Sequence, residues 1–233
     1  METLNIETMN LYKSNEFIIN LIKSNKPFFI SRVGIGSETY SSYHYETTGT
    51  IGRYETLDNN AGIYYTNDED IKRYNLFYSN ALKNSDALAT WTDNVLKEQL
   101  YYIEKYKLPK LDYRVIEPFY QIENNIIPFT HHLSDKKILI ISPFIDSFRE
   151  QIDKEFKLYK NTNIFLPGQK FIYYKSLNTS AGNRIDGHSN WMDTYLQMIK
   201  EIKELDFDIA LVSCGGYGLP ICNYIKEHMN KSS

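Results

Sequence analysis

The sequence predicts an α/β protein: a Rossmann-like, doubly wound, mostly parallel sheet with helices on both faces. Three observations carry this expectation. Short apolar runs such as Ile138 to Ser142 and Ile209 to Ser213 recur along the chain, and segments of helical spacing separate them. Apolar runs bounded by helices read as parallel strands buried on both faces, which need helical crossovers. No internal repeat, low-complexity tract or Pro/Gly/Ser-rich linker interrupts the pattern, so residues 1–233 read as a single α/β domain.

In order, residues 3–24 place Leu4, Met9, Leu11, Phe17, Ile18, Leu21 and Ile22 at mostly helical spacing, a helix packed on the domain. Pro27 then breaks the pattern and Phe28 to Val33 reads as a buried strand. A helical segment from Ile71 to Leu82 precedes a strand at Ala87 to Trp91, and a further helix precedes a strand at Tyr113 to Ile116. Ile138 to Ser142 is followed by periodic Phe148 to Phe156, and Ile209 to Ser213 lies between two helical patterns, the first opening near Trp191 and the second running from about Leu219 to Met229.

Composition narrows the function. The chain carries 26 Lys and Arg against 29 Asp and Glu, a formal net charge of -3, and its arginines are few. That balance lacks the basic stripe that a phosphate backbone demands, so nucleic acid is not the expected partner. The longest apolar runs fall far short of the ~20 residues of a membrane span, and Met-Glu-Thr-Leu-Asn has no leader character, which predicts a cytoplasmic protein. Cys214 and Cys222 show neither Cys-x-x-Cys nor zinc-finger spacing. The 20 tyrosines suit the wall of a sugar or nucleotide site, or reflect a biased composition.

In open parallel sheets, ligands bind beyond the carboxyl ends of the strands where the order reverses. The stretches to inspect are therefore Gly34 to Glu38, Thr92 and Asp93, Glu117 to Tyr120, Ser142 to Asp146, and Cys214 to Gly218. Asp206 to Pro220 is a strand running into a glycine-rich turn, Cys214-Gly-Gly-Tyr-Gly218, that opens a helix, where Gly215, Gly216, Tyr217 and Gly218 offer backbone N–H groups to an anion or permit a tight turn. Ser31-Arg-Val-Gly-Ile-Gly-Ser-Glu38 is the second such loop, with Arg32 shaped to grip a phosphate, Gly34 and Gly36 able to approach it, and Glu38 able to hold a divalent cation or to pair with Arg32. Ser142 puts a hydroxyl at the same edge, and Asp146 reads as a helix N-cap.

Other apparent motifs read as structure. Asp68-Glu-Asp70 has the Asp-x-Asp form of a metal-diphosphate motif, but it starts a helix, where the macrodipole favours carboxylates. His131-His132 reads as a solvated pair. Gly-x-Ser-x-Gly and Gly-x-x-x-x-Gly-Lys-[Ser/Thr] are absent from the sequence.

Taken together, Phe28 to Glu38, Asp86 to Trp91, Glu117-Pro-Phe-Tyr, Lys136 to Phe144 with Gln151, Leu166-Pro, Trp191, and Phe207 to Pro220 resemble, in order, bacterial and viral proteins related to the GT-D type glycosyltransferases. The resemblance implies a Rossmann-like transferase that uses a nucleotide-diphosphate sugar, with Mn2+ or Mg2+ and the diphosphate approached by an Arg-x-Gly-Asp-Gly-Glu segment. This chain departs from that segment: Arg32-Val-Gly34 is followed by Ile35-Gly-Ser-Glu38, so the aspartate is missing and the glutamate arrives one residue late.

The leading expectation is a glycosyltransferase acting on a glycan or glycoprotein acceptor in polysaccharide or glycoprotein assembly. Arg32 and the Gly215 to Gly218 amides would hold the diphosphate, with Glu38 as metal ligand or base. Asp186 and His188, in the polar loop before Trp191, are alternative bases. The rival is a non-catalytic nucleotide- or sugar-binding module that kept the fold and lost a carboxylate.

Overall fold

The computed structural model describes residues 8–34, 36–92, 96–153 and 163–233. Ile35, Asp93, Phe156 and the first part of the expected N-terminal helix, Leu4 included, lie outside the described residues.

Helix α1 spans Leu11–Ser24 and starts later than its periodicity suggests. Asn10 is extended, and its side chain accepts from the Lys13 N–H, which supplies one of the donors a helix start leaves open. Two three-stranded parallel sheets follow. The first comprises β1 (Ile30–Ser31), β2 (Ala87–Thr90) and β3 (Lys110–Asp112) in the order β1-β2-β3; the second comprises β4 (Lys137–Ser142), β5 (Lys170–Lys175) and β6 (Ile209–Val212) in the order β5-β4-β6.

The last residues of the chain join the two sheets. The Ser233 N–H donates to Phe28 O at 2.9 Å and the Ile30 N–H donates to Ser233 O at 3.1 Å. On the other side the Ala210 N–H donates to Ser232 O at 2.9 Å, forming a parallel bridge between Ile209 and Ser232. Ser232 and Ser233 thus fill the seam between β1 and β6, and every strand contact across it is parallel.

Side chains alternate between two apolar layers, as the period of a strand requires. Leu88, Leu139, Ile141 and Ala210 face the layer built from α4 (Asp68–Asn84), α5 (Leu96–Tyr106), α8 (Trp191–Ile202) and α9 (Gly218–Met229). Ala87, Ala89, Ile138, Ile140 and Ile209 face the other, built from α1, the turn holding Phe129 and Leu133, and the start of α7 (Ile145–Asp153). Both layers draw residues from both sheets, and helices cover both faces.

Several expected boundaries move. The strand expected at Tyr113 to Ile116 is a 3-10 turn, because the Asp112 side chain accepts the Arg114 N–H and starts the turn directly after β3. Only Ile30 and Ser31 of the expected Phe28 to Val33 strand pair with β2. Strand β5 and helix α2 (Ser37–Thr48) are new elements, joined by the short helices α3 (Glu55–Asn59) and α6 (Pro118–Glu123). No helix among the described residues is long and apolar enough to cross a membrane.

Candidate functional site at the seam between the sheets

The loop after β1 is fixed from three directions. The Trp91 indole N–H donates to Val33 O at 2.9 Å, and the Thr39 hydroxyl donates to Gly34 O at 3.0 Å while sharing a hydrogen bond with the Tyr78 hydroxyl. Arg32 pairs with Glu117, donates to Tyr113 O at 3.4 Å, and lies 4.6 Å from the centroid of the Trp91 ring. Its carboxylate partner is therefore Glu117, not Glu38.

Glu38 folds back over its own loop. A Cβ built on Gly34 would stand 2.5 Å from one carboxylate oxygen, and one built on Gly36 would stand 3.1 Å from the other. Burial pushes the Glu38 carboxyl above the usual carboxylate range, and a hydrogen bond with its own backbone offsets this only in part. After their own burial, the charge of Glu38 is the next cause raising the hydroxyls of Tyr74 and Tyr78, so all three groups share one interior.

Across the seam, the turn after β6 is built by packing. Gly215 has φ +60, and the Gly216 N–H donates to Ala61 O at 2.9 Å. The Tyr74 hydroxyl donates to Gly216 O at 2.9 Å, and a Cβ on Gly216 would meet Ile63 Cγ1 at 2.5 Å. Tyr217 is buried, its hydroxyl donating to Gly62 O at 2.9 Å and meeting Thr179 Oγ1 at the same distance. Gly216 and Tyr217 are thus committed to the segment at residues 61–63, whereas nothing lies within 4 Å of a Cβ on Gly218, the first residue of α9.

Neither α2 nor α9 has a side-chain N-cap, in contrast to α1, α4 and α8, which start on Asn10, Asn67 and Asn190. Both uncapped starts lie beyond the carboxyl ends of strands flanking the seam. α2 starts directly on Gly36, whereas α9 continues from a 3-10 turn at Gly215–Tyr217 in which the Gly218 N–H donates to Gly215 O, so fewer open donors remain at its start.

The other expected site residues stand apart. Ser142 ends β4, and its hydroxyl accepts the Phe144 N–H at 3.2 Å, beside an apolar cavity of about 850 Å³ walled by Phe148, Phe165 and Phe171. β6 lies between it and the seam. Asp186 is exposed, and His188 Nδ1 meets Thr194 Oγ1 at 2.9 Å, which in turn meets the Tyr64 hydroxyl. Among the described residues no hydrogen bond or ion pair ties Asp186 or His188 to Arg32 or Glu38.

The remaining motifs resolve locally. Asp70 is buried and accepts from the Thr66 N–H, the Thr66 hydroxyl and the Asn190 amide, while Asn67 caps the helix. Asp146 lies in the first turn of α7 and pairs with Lys175 at 2.6 Å, which lowers its carboxyl. His131 Nε2 meets Asn163 O at 2.9 Å. Both cysteines are free and buried; burial pushes the Cys222 thiol up to about 12 and the Cys214 thiol further, so neither is poised as a nucleophile.

Among the described residues no group of three or more His, Cys, Asp or Glu side chains gathers in a way that could hold a metal ion. Glu38 offers one carboxylate, half-buried and turned onto its own loop. A divalent cation held through Glu38 would draw its remaining oxygen ligands from water and from the diphosphate of a bound donor.

The residues that sequence reasoning left without a role are Trp91, Glu117, Tyr113 and Tyr74. Trp91 and Tyr113 follow directly on β2 and β3, and Glu117 follows the 3-10 turn after β3, so the rule that points to strand ends singles out their neighbourhood. Comparison with protein-family models, with curated proteins and with solved structures finds no match.

Proposed function

We propose that this protein is a glycosyltransferase that moves a sugar from a nucleotide-diphosphate donor to a hydroxyl of a glycan or glycoprotein acceptor in the cytoplasm. In this reading the two sheets and the terminal segment between them form one Rossmann-like, doubly wound sheet, and the seam is its switch point. The observation that carries the reading is that the loop after β1, leading into α2, and the turn after β6, leading into α9, are both tied to Tyr74, which donates to Gly216 O and shares an interior with Glu38.

The chemistry is displacement at the anomeric carbon. The acceptor hydroxyl oxygen forms the new bond, the bond from that carbon to the diphosphate oxygen breaks, and the diphosphate leaves with the electron pair. The N–H groups at the starts of α2 and α9 stabilise the charge that develops on it. Glu38 takes the acceptor proton; its raised pKa makes it a stronger base than an exposed carboxylate. No step is routed through a metal ion; a divalent cation held through Glu38 would supply further charge neutralisation at the diphosphate. Arg32 is already neutralised by Glu117, so the phosphate contact passes to the helix starts.

A second reading, a non-catalytic nucleotide- or sugar-binding module, is favoured by the solitary Glu38 carboxylate and by the commitment of the Gly216 N–H to Ala61. Calorimetric titration with nucleoside diphosphates, followed by a donor-hydrolysis assay, separates the two. Binding with turnover supports the transferase, binding without turnover supports the module, and no nucleotide binding removes the transferase and the nucleotide-binding form of the module.

A further inference from the structure

We infer that the carboxyl ends of β1, β2 and β3 together form a pyranose-binding site in which Arg32 and Glu117 grip neighbouring ring hydroxyls beside Trp91 and Tyr113. The inference deepens the transferase reading and rests on it for the ligand being a glycoside. Each strand of the first sheet delivers one part of the site: Arg32 follows β1, Trp91 follows β2, and Tyr113 and Glu117 follow β3.

The parts touch. The Arg32 guanidinium lies against the Trp91 ring and pairs with Glu117, and Trp91 stacks on Tyr113 at 5.3 Å between centroids with planes 25° apart. Tyr120 meets Tyr113 edge-on at 6.3 Å. The side chains of Arg32 and Glu117 are 23% and 31% exposed, held in place yet reachable from solvent. Arg32 commits Nη1 to Glu117 and to Tyr113 O, and Glu117 commits Oε1 to Arg32. Among the described residues, Nε and Nη2 of Arg32 and Oε2 of Glu117 meet no partner.

That residual chemistry selects the ligand. A guanidinium edge offers donors only and a carboxylate offers acceptors only, so the pair side by side matches two neighbouring hydroxyls, each both donor and acceptor. The rings alongside supply an apolar wall for the C–H face of a sugar. A phosphate suits the site poorly, since the Glu117 charge opposes it and Arg32 is already neutralised.

The chain has two tryptophans, and only Trp91 belongs to this cluster; Trp191 is buried with its indole N–H on Asp70 O. In 15N-labelled protein the two indole signals can be followed while methyl hexopyranosides are titrated. The expected result is a saturable shift of the Trp91 signal with at least one hexopyranoside, the Trp191 signal staying in place. In Glu117→Gln that affinity should fall about tenfold or more, the scale of a charge-assisted hydrogen bond, with the melting temperature within a few degrees of the parent. A Trp91 signal that no hexopyranoside moves, or that moves equally in Glu117→Gln, overturns the inference. A nucleoside diphosphate without sugar that shifts Trp91 as strongly as any glycoside overturns it too, while leaving nucleotide binding intact. A glycoside response with no nucleotide binding anywhere upholds the sugar site and removes the nucleotide-sugar reading.

Discussion

The Tyr74 hydroxyl donates to the carbonyl of Gly216 at 2.9 Å, across 142 residues of chain. This bond ties α4 to the turn after β6, and Tyr74 also shares its interior with Glu38 from the loop after β1. One buried side chain therefore sets the spacing between the two loops that the functional proposal brings together.

Tyr74→Phe should lower stability by about 1 to 3 kcal/mol, since it leaves the buried Gly216 carbonyl without its side-chain donor. Gly216→Ala should cost a similar ~1 to 3 kcal/mol for a different reason, the clash of its Cβ with Ile63 and the Tyr74 hydroxyl. Urea unfolding of both variants checks this. Loss of ligand affinity at unchanged stability in Gly216→Ala would instead make that glycine a ligand contact.

The acidic run at the start of α4 should split into unequal parts. Asp70→Asn sets an amide N–H2 against either Thr66 or the Asn190 amide, all of them donors, and should cost about 1 to 3 kcal/mol. Asp68→Asn, which loses only the exposed pair with Arg53, should stay within about 0.5 kcal/mol. Equal effects in thermal melts would contradict this division, and loss of sugar transfer in a folded Asp68→Asn would restore the metal-motif reading.

Glu38 gives stability a pH dependence of definite sign. Its folded carboxyl titrates above the ordinary value of 4.5, so over that interval the folded state keeps a proton that the unfolded chain has lost. Stability then falls as pH rises from 4.5 through the raised value. Glu38→Gln removes the titration. It should melt higher than the parent near neutral pH, and the difference should fade as pH drops well below 4.5, where both states become protonated. A variant less stable than the parent at every pH, by a constant amount, would show that the carboxylate is held by favourable contacts instead.

Divalent cations should be dispensable. With one carboxylate at the loop and no group of three or more metal-ligating side chains among the described residues, nucleotide affinity in Mn2+ and in EDTA should agree within about twofold. Calorimetry in the two buffers checks this, and affinity that disappears in EDTA would demand a ligand set beyond Glu38.

The strands legible in the sequence are those whose residues are apolar on both faces. β2, β4 and β6 were placed within a residue or two for that reason. β5 escaped because Lys-Phe-Ile-Tyr-Tyr-Lys pairs only with β4 and carries no fully buried position. Helix α2 escaped because the face it buries is polar, with Ser37, Thr39, Ser41 and Ser42 inside, so its sequence has no hydrophobic period.

The candidate site was legible to the same degree. Glycines and an arginine at strand ends announce themselves through residue type, and both loops do flank the seam. The Arg32–Glu117 pair spans 85 residues and leaves no local trace, and the bridging by Ser232 and Ser233 is made by backbone hydrogen bonds, which side-chain patterns do not encode.

The most direct test of the central claim is an amide chemical-shift map of 15N-labelled protein titrated with a nucleoside diphosphate sugar. The account predicts saturable shifts concentrated on residues 32–38 and 214–219, the two loops beside the seam. Shifts concentrated instead around Phe148, Phe165 and Phe171, or none at millimolar donor, would contradict it.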